Sequence, residues 1–184
     1  MDQKFLISTR KLFEYYKSLG DKSIAQVTDE EINWRPNEAS NSIAHIVHHL
    51  SGNMLSRFTD FLHSDGEKPW RDREAEFEKG YVNKAEMLSA WEKGWDVLFK
   101  TIDDLRTGDL EKVVYIRNEG HTVLDALQRQ LAHYPHHVGQ IVYLAKMLRH
   151  ENWESLSIPK GGTQAFNDKK FAQEKGSRHF TDKA

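Results

Sequence analysis

The chain has 184 residues, 38% of them hydrophobic and 29% charged, with 5 Trp, 9 Phe and 6 Tyr, which suits one ordinary domain with an aromatic core and excludes a disordered chain. Its 26 basic and 28 acidic residues give a net charge of -2, so no overall field exists to hold a nucleic-acid backbone or an anionic membrane. With no cysteine, disulfides, thiolate nucleophiles and Cys-based metal sites are excluded, and any metal must rest on His, Asp or Glu.

Apolar residues recur at helical spacing in four long stretches, with turn residues and prolines between them. The first, over residues 3–27, carries Phe5, Leu6, Leu12, Phe13, Tyr16 and Leu19 and continues past Gly20 to Ile24 and Val27. Thr28 and Glu31 have capping-box spacing and predict a short helical turn that stops before Pro36. The second long helix is expected from Asn41 or Ser42 to about His63. Residues 64–82, charged and without clear periodicity, read as a loop, and a loop this long in a compact domain is usually functional or mobile.

Asn83 and Glu86 resemble a cap and its partner opening a third helix to about Leu105, with Met87, Leu88, Trp91, Trp95, Leu98, Phe99 and Ile102 inward. Val113 to Ile116, followed by Asn118-Glu119-Gly120, has the β-propensity and turn residues of a short hairpin between helices three and four. The fourth helix is expected from Thr122 to Arg149. The expected fold class is therefore all-α, a four-helix bundle over residues 1–165, with a polar and loosely held tail over 166–184. No apolar run approaches the roughly 18 residues of a membrane span, and the chain opens on an amphipathic segment without a signal-peptide core, so a cytoplasmic location is expected.

Six of the 10 His fall in two clusters. His45-Ile46-Val47-His48-His49 and His133-Tyr134-Pro135-His136-His137 share the pattern His-x-x-His-His. On the fourth helix Leu124, Leu127, Leu131, Val138, Ile141, Val142 and Ala145 define the apolar face. His136 points nearly opposite it, whereas His133 and His137 lie one turn apart on its flank and can share an ion. On the second helix Ile43, Ile46, Val47, Leu50, Met54 and Phe58 face inward, His45 points away, and His48 and His49 flank the seam on opposite sides. His49 continues into a polar stripe through Asn53 and Arg57, the wall expected of a cleft, which favours it as third ligand. Each of these histidines could instead be an ordinary hydrogen-bonded structural residue.

Pro135 cannot donate to the Leu131 carbonyl, at a cost of about 3 kcal/mol or more in a helix interior. A distortion there fits a ligand site or a harmless kink. His150-Glu151-Asn152-Trp153-Glu154 begins like the zinc-protease HExxH but lacks its second His. The Glu-x-x-His pairs of di-iron bundles are missing, as are GxSxG and GxxxxGK[ST] motifs.

The segments NSIAHIVHHLSGN at 41–53 and AHYPHHVGQI at 132–141 resemble the helix-two His and the His-x-x-x-His-x-Gly-Gln motif of the DinB-like superfamily, the YfiT-related bundles. INWRP, SRFTDFLHSDGEKPWRDREAEF and SLSIPKGG are further similar to a bacterial subgroup without an established function, so the resemblance covers about residues 1–165. It implies His49, His133 and His137 as ligands of a divalent ion, usually zinc or nickel, and often a homodimer. It also implies, for some relatives, transfer of a low-molecular-weight thiol onto an electrophile or a thiol-dependent isomerisation. In that reading the substrate thiol reaches an open position on the ion, and Asn53, Arg57 and Arg71 contact the substrate, an arginine holding a thiol carboxylate. The competing readings are a non-catalytic or stress-related metal protein, in which the ion fastens helix two to helix four, and a metal-dependent hydrolase. Fold membership does not by itself transfer a reaction.

Overall fold

The computed structural model describes residues 2–182. Among these are six helices and one two-stranded sheet: α1 (Asp2–Ala25), α2 (Ile43–Phe58), α3 (Ala75–Glu78), α4 (Lys84–Asp104), β1 (Val113–Ile116), β2 (Glu119–Thr122), α5 (Val123–Arg149) and α6 (Thr163–Phe171). The four long helices close a ring of contacts, α2 against α4 and α5, and α1 against α5 and α4. Their shared interior holds Phe13, Leu50, Met54, Trp91, Trp95, Leu127 and Tyr134, all fully buried. Trp95 sits among Phe13, Trp91, Phe99 and Tyr134 in edge-on and stacked contacts, so one aromatic cluster ties α1, α4 and α5 together.

The predicted helices are present, with corrections at their ends. α1 runs unbroken through Gly20, and the indole of Trp91 lies against the bare backbone there: a Cβ would stand 2.7 Å from Trp91 Cζ2. Trp91 Nε1 also donates to Asp21 at 2.7 Å. Gly20→Ala should therefore destabilise the protein. The gain in helix propensity is about 1 kcal/mol, and crowding a fixed, buried ring costs about 1–3 kcal/mol. A urea midpoint equal to or above that of the wild type would contradict this.

The second helix ends at Phe58, five residues before the expected His63. Thr59 is extended and Asp60 takes a left-handed φ of 52°, turning the chain although Phe61 and Leu62 prolong the apolar pattern. Residues 64–82 are not simply loop, for they include the single-turn helix α3. The turn after Thr28 is a 3-10 turn, Glu31–Asn33, and Glu31 Oε2 accepts the Thr28 N–H at 2.8 Å as the capping spacing requires.

The hairpin forms in antiparallel register, Val113 opposite Thr122 and Ile116 opposite Glu119. Its two-residue turn is Arg117-Asn118, both at positive φ, one residue earlier than the Asn118-Glu119-Gly120 turn read from the sequence. Asp65 accepts from both turn N–H groups at 2.9 Å, which fixes the hairpin to the chain following α2. α5 carries Pro135 within an unbroken run of helix. Beyond α6, Phe180 meets Tyr15 edge-on and Asp182 pairs with Lys11, so the end of the tail lies along α1. No helix is long and apolar enough to cross a membrane among the described residues.

Candidate metal centre

α2 and α5 lie side by side, and their facing histidines converge. One ring nitrogen from each of His49, His133 and His137 lies within 4.8 Å of the others, so the group could hold a metal ion. His133 Nε2 is 3.4 Å from His49 Nε2 and 3.1 Å from His137 Nε2. Tetrahedral zinc with bonds of about 2.0–2.1 Å needs ligand nitrogens about 3.3–3.4 Å apart. His49 is buried, and His133 and His137 are half-buried at the edge of the helix pair. Among the described residues no fourth His, Asp or Glu joins them.

The other ring nitrogen of each histidine faces an oxygen. His49 Nδ1 is 2.9 Å from Glu76 Oε2, His133 Nδ1 is 3.3 Å from Gln130 Oε1, and His137 Nδ1 is 2.8 Å from Gln140 Oε1. A carboxylate can only accept, and the Gln140 amide nitrogen is directed at His136 Nε2, 3.2 Å away, leaving its oxygen for His137. The arrangement assigns the Nδ1–H tautomer to all three rings. Their Nε2 lone pairs then point at one another with no proton between them, an arrangement that a shared cation stabilises.

The electrostatics agree with neutral imidazoles at the two α5 positions. Burial, followed by the neighbouring His137 and His49 and the charges of Arg57 and Arg129, pushes the His133 imidazolium down to about 3. Burial also lowers His137, against the opposing hydrogen bond to Gln140. Burial alone would raise the Glu76 carboxyl, but hydrogen bonds from His49 and Arg71 and the Arg71 charge hold it below the usual carboxylate range.

The three side chains expected to contact substrate are each engaged within the protein. Asn53 Oδ1 accepts from the buried Tyr134 hydroxyl at 2.9 Å. Arg57 donates to the Gly66 carbonyl and to Glu67. Arg71 grips Glu76 through Nε at 2.7 Å and Nη2 at 2.9 Å. His45, expected to point away from the apolar face, is instead buried. It occupies the third position of α2, where its Nδ1 accepts the Ser42 N–H at 3.2 Å while Ser42 Oγ accepts the His45 N–H. A capping role folds the ring back over the helix start. His48 faces the Lys79 carbonyl and Tyr81, and His136 is exposed.

The oxygen partner of His133 escaped the sequence reading. Gln130 stands three residues before His133, as Gln140 stands three after His137, and that symmetric spacing on one helix is a signal the sequence does hold. Glu76 lies 27 positions from His49 in a segment without periodicity, and nothing local pairs it with that histidine.

A family model described as "Protein of unknown function (DUF1572)" matches residues 1–162. The chain belongs to this family. Among curated proteins none matches it. The matched span takes in α2, α3 and α5, and with them every residue of the histidine cluster and its partners.

Proposed function

We propose that this protein binds one divalent ion, zinc or nickel, on His49, His133 and His137. We propose also that it is a DinB-like four-helix bundle over residues 1–165 with 166–184 appended. The observation that carries the metal reading is the convergence of three Nε2 atoms whose rings each present Nδ1 to an oxygen. The reaction we propose is transfer of a low-molecular-weight thiol onto an electrophile. Held by three neutral imidazoles, a divalent ion keeps its charge and an open position, and lowers the pKa of a thiol or water that reaches it. The chain has no cysteine, so the sulfur must arrive with the substrate. His133 and His137, half-buried, leave that approach to the surface, while Phe77, its ring tilted against His49 with centroids 4.9 Å apart, backs the site with an apolar wall. Asn53, Arg57 and Arg71 serve as a rigid frame, because binding substrate would break hydrogen bonds they already make.

Metal analysis and cobalt substitution test both steps. The wild type and His136→Ala should carry one equivalent of metal and His137→Ala none; equal loss from both variants would defeat the ligand assignment. Adding a small thiol to the cobalt protein should give a sulfur-to-cobalt charge-transfer band. No band at saturating thiol, with cobalt still bound, would favour the second reading, an ion that fastens α2 to α5, which the placement of the ligands on those two helices supports.

A further inference from the structure

The charged segment between α2 and α4 places a carboxylate behind one imidazole. Glu76, on α3, is buried, as is the side chain of its partner Arg71, whose guanidinium holds both carboxylate oxygens. One of those oxygens also faces His49 Nδ1 at 2.9 Å. Close approach to α2 is allowed by Gly52, one turn after His49: a Cβ at that position would stand 2.2 Å from Glu76 Oε1 and 2.9 Å from Cδ. A glycine within a helix costs about 1 kcal/mol relative to alanine, and here its bare backbone is the seat of the carboxylate.

Arg71 is anchored in turn. Glu67 lies 3.8 Å from it and also pairs with Arg57 and Arg117. The Gly66 N–H donates to the Tyr115 carbonyl of the hairpin at 2.8 Å. The segment is thus held to α2 and the hairpin on one side and presents Glu76 to the histidines on the other.

We propose that Glu76, clamped by Arg71 and seated on Gly52, is the positioning residue of the metal centre. It accepts the Nδ1 proton of His49, fixes the ring with Nε2 toward His133 and His137, and strengthens that nitrogen as a donor by placing a negative charge behind it. His133 and His137 have only neutral amide oxygens in the equivalent place, so His49 is the strongest donor of the three. The inference rests on the metal reading above.

Chelator competition for zinc tests it, with three variants. Glu76→Gln keeps the shape and removes the charge; Gly52→Ala leaves Glu76 in the chain, displaces its carboxylate and favours the helix; His133→Ala removes a ligand. Zinc should bind 10–100-fold more weakly to the first two and not stoichiometrically to the third, and cobalt held by Glu76→Gln should keep the wild-type ligand-field spectrum. Imidazole nitrogen shifts of the metal-free wild type should place the His49 proton on Nδ1, a result independent of whether any variant folds. Zinc affinities of Glu76→Gln and Gly52→Ala within twofold of wild type, or a His49 proton on Nε2, would overturn the positioning role while leaving the metal site intact. A changed cobalt spectrum in Glu76→Gln would overturn it by making Glu76 a ligand. Wild-type protein that binds no zinc would instead remove the metal reading itself.

Discussion

Alanine at His133 should abolish stoichiometric metal binding and, with it, the largest ligand-dependent stabilisation available to this chain. His133 Nε2 lies within 3.4 Å of both other Nε2 atoms, so its removal leaves one donor on each helix and no chelate along α5. An ion at a thousandfold excess over its Kd stabilises the native state by about 4 kcal/mol, which for a domain of this size is a rise of roughly 8–16 °C in Tm. The wild type should show that rise on adding zinc and His133→Ala should not, while His136→Ala behaves as wild type. A full thermal shift in His133→Ala would place the ion elsewhere.

The same substitution has a pH signature without metal. An unfolded histidine takes up its proton near pH 6.5, whereas native His133 resists protonation until about 3. Between those values the unfolded chain holds the extra proton, so the contribution of His133 to the stability of the metal-free wild type falls as pH drops from 6.5 and is fully lost below about 3. His137, lowered in the same direction, adds to the slope. His133→Ala loses its share, and its urea midpoint should fall less between pH 7 and pH 5. Equal slopes for the two proteins would contradict the buried, neutral imidazole.

How much of this was legible in the sequence depends on how far apart the cooperating residues lie. The long helices follow from apolar periodicity, and the pairing of His133 with His137 follows from one turn of α5. The His49 prediction drew on the polar stripe through Asn53 and Arg57, both of which the structure buries and engages in hydrogen bonds. The end of α2 was misread because Phe61 and Leu62 keep the helical pattern while the backbone of Asp60 breaks it. His45 was misplaced because facing arguments assume a side chain projecting from a regular helix, and a capping ring folds back. Single-turn α3 is too short for any period to appear, so the carboxylate it brings to His49 is a tertiary fact.

Removing the clamp on that carboxylate should be among the most damaging changes away from the aromatic core. Arg71 and Glu76 expose only 2% and 3% of their side chains, so Arg71→Ala leaves a buried carboxylate with His49 as its remaining partner, and a loss of about 3–5 kcal/mol is expected. Replacing both charges, as in Arg71→Met with Glu76→Leu, should be less harmful than the single change, since it leaves the His49 Nδ1–H unpaired at about 1–3 kcal/mol. The pH dependence identifies the cause. In the wild type the depressed Glu76 carboxyl adds stability above its unfolded value of 4.5 and loses it as pH falls through the folded one. Without the guanidinium, both lowering contributions of Arg71 are gone while burial still opposes the charge, so the carboxyl titrates higher than in the wild type and the variant loses less stability on protonation. The gap in urea midpoint between wild type and Arg71→Ala should therefore narrow as pH is lowered toward 4. A gap that stays constant, or a single variant no less stable than the double, would mean that the lost contact is packing of the arginine stem and not compensation of a buried charge.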